Sequence, residues 1–204
     1  MGCIGYRAAW VPEVEDRGWE EAANLAVTWV IAECKAQKAT PVVVANTMGS
    51  VSSISVLAQM AGQYGLATPQ SQGATRGGGP VLAYVPTLEA LELAINAARG
   101  SSLCVVEGFG QPIGGWAAAV EAEDLTSGEP SDPLEPALVE ALESLIFYGN
   151  NGWGDQFGKQ QAQRILARLP REQRDPEFIA GYVMGKGQSA HGAKNLQAII
   201  EKLR

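Results

Sequence analysis

Three short apolar runs, each stopping at small or polar residues and then giving way to a helical pattern, constrain this chain more than anything else in it. They are Pro41-Val42-Val43-Val44-Ala45, Pro80-Val81-Leu82-Ala83-Tyr84-Val85 and Leu103-Cys104-Val105-Val106. Runs this short and this continuously apolar suit strands buried on both faces. Their alternation with helical stretches of about 10–15 residues argues for a parallel sheet. Right-handed crossovers then bring the three strand ends to one edge, and open sheets of this kind bind ligands outside that edge. The expected ligand edge is Asn46, Thr47 and Ser50 after the first run, Thr87 after the second, and Glu107 with Gly108 after the third.

The remaining pattern is mostly helical. The chain starts loosely, and Pro12-Glu13-Val14-Glu15-Asp16 predicts a helix start, with an early proline and acids that favour the helix dipole. That helix runs to about Gln37, with Trp19 and Trp29 as core or interface anchors. Further helices are expected from about Val51 to Tyr64 with Gly65 as its cap, after Thr87 as an N-cap, and from Gln111 to about Ala122. The segment Asp124–Pro133 is rich in turn formers and contains two prolines, which marks a boundary. Beyond it come four helical stretches, the second beginning at Asp155 and the last two capped by Asp175 and Ser189. The expectation is an α/β fold: a small parallel sheet flanked by helices over residues 1–126, followed by an all-helical C-terminal region over 127–204.

Composition narrows the class. In 204 residues, 46% are hydrophobic and 18% charged, enough to bury a real core. No apolar run approaches the roughly 18 residues of a membrane span. The start lacks the basic and apolar regions of a secretory signal. Met1-Gly2-Cys3 fails as a lipidation start because Tyr6 stands where Ser or Thr is needed. Cys3, Cys34 and Cys104 are widely spaced, and with one histidine and no CxxC there is no ligand set for zinc or an iron–sulfur cluster. These features predict a cytoplasmic protein with no membrane partner, no metal and no cofactor. The net charge of −7 hides an asymmetry: residues 1–150 carry −11 and residues 151–204 carry +4.

The motifs with chemical meaning are few. Arg76-Gly77-Gly78-Gly79 precedes a strand, whereas a phosphate loop follows one and ends in GK[ST], which is absent. No GxGxxG fingerprint follows a strand. Asn46-Thr47-Met48-Gly49-Ser50 is better placed, between a strand and a helix, where hydroxyls and free helix amides would hold an anion. Val105-Val106-Glu107-Gly108 resembles the strand end of a Toprim domain, a family in which such a glutamate assists metal-dependent phosphoryl transfer. The partner DxD is missing here. His191 has no nucleophile elbow to serve. Val183, Gly187, Ala193 and Leu196 match the spacing of a helix-turn-helix, with Lys186, His191 and Lys194 placed for nucleic acid.

Gly79-Pro80-Val81-Leu82-Ala83, Trp116-Ala117-Ala118-Ala119-Val120, Asp175-Pro176-Glu177, Gly187-Gln188-Ser189 and Gly192-Ala193-Lys194-Asn195-Leu196 together resemble a group of uncharacterised actinobacterial proteins. The resemblance covers scattered pieces of residues 79–204. It implies a bacterial cytoplasmic protein with an α/β body and a helical tail, and no activity. The leading expectation is a non-catalytic binding or regulatory protein that uses the strand-exit edge for a small anionic ligand or another protein. The alternatives are a nucleic-acid-associated protein acting through the basic tail and a Toprim-like enzyme at Glu107. Trp10, Trp116, Trp153 and Phe147 are an apolar load that leaves room for a homodimer.

Overall fold

The structure, a computed structural model, describes residues 5–203. Cys3 and the Met1-Gly2-Cys3 start lie outside the described residues. The elements in chain order are β1 (Arg7–Val11), α1 (Trp19–Gln37), β2 (Val42–Ala45), α2 (Ser55–Tyr64), β3 (Leu66–Ala67), β4 (Val81–Tyr84), α3 (Leu88–Ala97), β5 (Ser102–Val106), α4 (Gly114–Val120), β6 (Glu123–Asp124), α5 (Pro136–Tyr148), α6 (Gln156–Leu166), α7 (Pro176–Gly185) and α8 (Ala190–Glu201). Two compact units result. One runs to Gln111 and resumes over Ala122–Pro130; the other comprises Pro112–Glu121 and the chain from Ser131 onward. The expected boundary near residue 126 falls within the segment that returns to the sheet.

The three apolar runs contain β2, β4 and β5, and every residue of those strands is buried. The sheet is parallel throughout, in the order β3-β2-β4-β5-β1-β6. β1 comes from the stretch that reads as a loose start. Ala8 and Ala9 have little strand propensity, so the pattern is faint. They are nevertheless buried, in a strand that pairs with β5 on one side and β6 on the other.

Side chains alternate across the sheet, so each buried strand feeds two cores. Val43, Ala45, Leu82, Tyr84, Cys104 and Val106 join one core with buried residues of α1 and α2. Their neighbours Val42, Val44, Val81, Ala83, Leu103 and Val105 are equally buried and point the other way. That second face is covered by α3, which packs on β4 and β2. The strand order requires this division. The chain moves one way across the sheet from β2 to β3 and the opposite way from β4 to β5, and right-handed crossovers must then use opposite faces.

Two expected helix starts are displaced. Residues 12–18 form a loop rather than the start of α1, tied by Arg17 Nη1 donating to the Pro12 carbonyl at 2.8 Å. The helix expected from Val51 begins at Ser55, after turns over residues 48–53. Its N-cap residue, Ile54, has no polar side chain. Glu20 of α1 replaces it: its carboxylate accepts from the Ser55 amide at 3.1 Å, the Val56 amide at 3.3 Å and the Ser55 hydroxyl. Gly79 explains the glycine-rich connector before β4. At a φ of 117° it lies so close to the Thr40 carbonyl that a Cβ would collide with it, so Arg76–Gly79 serves chain geometry.

At the amino ends of the strands, polar groups close on one another. Arg7 bridges Glu33 at 2.7 Å and Glu123 at 2.9 Å, and its guanidinium lies 5.4 Å from the centre of the Trp29 ring. Gln37 donates to Glu33 at 3.0 Å and to Ser102 at 2.9 Å, and accepts from Ser101 at 2.6 Å.

In the second unit α4 packs on α7 through small residues. A Cβ on Gly115 would strike the Phe178 carbonyl, and one on Gly181 would stand 2.9 Å from the Trp116 amide nitrogen. Asp155, Asp175 and Ser189 cap α6, α7 and α8, accepting from Gly158, from Glu177 and Phe178, and from Gly192. Trp116 and Trp153 are buried, whereas Phe147 and Phe157 are exposed. No helix among the described residues is long and apolar enough to cross a membrane.

Candidate functional site

A sheet whose neighbouring strands send their connections to opposite faces opens a crevice between them at the carboxyl edge. Here those neighbours are β2, which leads to α2 on one face, and β4, which leads to α3 on the other. A cavity of about 400 Å³ lies at their exits. Asn46, Ser50 and Ser53 supply its polar wall, Trp19, Tyr84 and Phe109 its aromatic wall, and Ile54 and Val85 complete it.

Asn46 holds the crevice in shape. Its amide donates to the Val85 carbonyl at 2.8 Å, and its side-chain oxygen accepts from the Thr87 amide at 2.7 Å. One side chain thus ties the exit of β2 to the exit of β4. The strand exit it grips is strained: Val85 has a φ of 44°, a left-handed conformation rarely adopted by a β-branched residue. Gly108 allows this, because a Cβ there would stand 2.5 Å from a Val85 methyl. Strain of this kind costs about 1–3 kcal/mol and persists where the surroundings impose it.

The aromatic wall is built around Trp19. Its ring is edge-on to Tyr84, with centroids 6.5 Å apart at 76°, and edge-on to Phe109, at 6.3 Å and 77°. Trp19 is 39% exposed and Phe109 68%, while Tyr84 is buried. Burial raises the Tyr84 phenol above its ordinary pKa, and the Glu20 charge adds to the shift. Glu20 itself is held below the usual carboxylate value, chiefly by the Ser55 hydroxyl.

Of the residues expected at the strand-exit edge, Asn46 and Ser50 line the cavity. Ser50 does not cap α2; its hydroxyl accepts from the Thr47 amide at 3.1 Å and pairs with the Thr47 hydroxyl at 2.9 Å. Thr87 caps α3, with its hydroxyl 3.4 Å from the Ala90 amide. Glu107 accepts from the Glu13 amide at 3.0 Å, tying the β5 exit to the β1 exit. Gly108 touches the crevice through Val85. Trp19, Ser53, Tyr84, Val85 and Phe109 carry no motif. Tyr84 offers one faint signal: it is the single aromatic in the apolar runs, at a strand's last residue.

The residues considered for nucleic acid lie elsewhere. Lys186 approaches Glu143 at 3.8 Å and stands 5.5 Å from the Tyr182 ring centre. His191 is exposed and 3.4 Å from Asn195, whose amide donates to the Gly152 carbonyl at 2.9 Å. Lys194 is exposed on α8. Among the described residues no group of three or more His, Cys, Asp or Glu side chains is arranged to hold a metal ion, and Glu107 belongs to no such group.

The fold and this edge define an open, all-parallel α/β protein with a crevice at the reversal of its strand order. No protein-family model matches the chain, and neither the curated proteins nor the solved structures contain a significant match.

Proposed function

We propose that this protein is a non-catalytic binding or regulatory protein that holds a small organic molecule in the crevice between the β2 and β4 exits. The observation that carries the reading is the coincidence of three features there: the reversal of strand order, a cavity of about 400 Å³, and aromatic rings left accessible beside it. Small-molecule sites commonly occupy about 300–1,000 Å³, with mostly apolar walls and a few fixed polar groups. The residues of this crevice suit recognition better than chemistry. Asn46 is committed to the backbone, Glu107 to the Glu13 amide, and the lining contains no acid–base pair. The nucleic-acid reading has weaker support, because Lys186 already faces Glu143 and Tyr182. A reducing bacterial cytoplasm fits the free, buried thiols of Cys34 and Cys104.

A thermal-shift screen with nucleotides, small anions, neutral heterocycles and amines tests the reading. At least one class should raise the melting temperature of the wild type and leave that of Trp19→Leu unmoved. No stabilising compound, or stabilisation equal in the two proteins, would overturn it.

A further inference from the structure

We propose that the crevice selects an organic ammonium cation. This inference rests on the binding reading above and narrows its ligand class. Trp19 stands nearly perpendicular to both Tyr84 and Phe109, at 76° and 77°. Rings in edge-to-face contact turn their π systems in different directions, and the faces are the negative end of the ring quadrupole. A quaternary or protonated amine is attracted to such faces, most strongly to tryptophan, and more so where water is excluded. The exposed surfaces of Trp19 and Phe109 are available for that contact.

The charges around the crevice agree. Among the described residues, none of the side chains lining it is a lysine or an arginine. The position where an anion would normally find free amides, the start of α2, is filled by the carboxylate of Glu20. Its charge also reaches Tyr84 in the cavity wall. An incoming anion would meet a fixed negative charge and amides already bonded. An ammonium group would meet a favourable field and the accessible rings of Trp19 and Phe109. Ser50 and Ser53 line the same cavity and provide hydroxyls for a polar substituent on the cation.

Isothermal titration of the full chain at low salt tests this with three probes: choline, its neutral isostere 3,3-dimethylbutan-1-ol, and inorganic phosphate. Choline should bind about tenfold more tightly than the isostere, about 1.4 kcal/mol and within the range of a cation–π contact, and phosphate should give no heat. Phe109→Leu, at an exposed position, should weaken choline several-fold with an unchanged melting temperature. Equal affinity for choline and its isostere, or heat from phosphate in place of choline, would overturn the cation class while leaving the binding reading in place. Silence from choline alongside a Trp19-dependent hit of another class in the thermal screen would do the same. Silence in both experiments would remove both proposals.

Discussion

The two ends of the one sheet are built on opposite terms. At the amino end every prominent polar group has a partner: Arg7 with Glu33 and Glu123, and Gln37 with Glu33, Ser101 and Ser102. At the carboxyl end a left-handed valine, accessible aromatic rings and a cavity lie side by side. The first arrangement turns its charged and amide groups toward one another. The second leaves apolar surface in water, which an occupant would cover. The contrast separates residues that hold the fold from residues available for recognition, although both sets belong to one sheet and share α1, which carries Trp19 at its start and Glu33 and Gln37 at its end.

The largest effect is expected where the two roles meet. Asn46→Ala removes the strut between the β2 and β4 exits and orphans the Thr87 amide and the Val85 carbonyl. Urea unfolding should show a loss of about 2–3 kcal/mol, the cost of two unsatisfied, partly buried backbone groups. Ligand binding should fall with it. A loss below about 0.5 kcal/mol would mean that the crevice keeps its shape without the strut.

Arg7→Ala should cost less, about 1–2 kcal/mol, because Arg7 is itself largely exposed although Glu33 is not. Its test is a dissociation: stability falls while affinity at the crevice holds. If affinity falls equally, the two ends are not independent. Trp19→Leu should do the reverse, losing under about 1 kcal/mol of stability because the ring is partly exposed, while binding is abolished.

The smallest effect is a pH dependence. Glu20 is depressed in the folded state by the Ser55 hydroxyl, so its contribution is complete above the ordinary glutamate value of 4.5 and is lost as the pH falls through its folded value. The melting temperature should therefore decline on acidification below about pH 4.5, and less steeply in Glu20→Gln. Identical acid profiles for the two proteins would show that the α2 cap contributes nothing.

The sheet was legible where its strands were apolar on both faces. β2, β4 and β5 follow from unbroken Val/Leu/Cys runs, and the single ligand edge follows from their being parallel. β1 was hidden because Arg7-Ala8-Ala9 has neither alternation nor β-branching; its burial comes from neighbouring strands that sequence pattern does not identify. The location of the crevice was hidden for the same reason. It depends on strand order, which decides that β2 and β4 are adjacent and turn to opposite faces. Residues singled out by type alone, such as Thr87 and Glu107, are used for capping and loop ties. Trp19, read as a core or interface anchor, is an accessible ring of the crevice. Glu20 carried no signal, because the helix start was expected at Pro12; in the structure Glu20 lies in the first turn of α1 and caps α2.

Amide chemical shifts recorded while the strongest compound of the thermal screen is added test the central claim most directly. The changes should concentrate at Trp19, Asn46, Ser50, Ser53, Val85 and Phe109, with Arg7, Glu33 and Ser102 unmoved. Shifts confined to the amino end of the sheet or to α8 would contradict it.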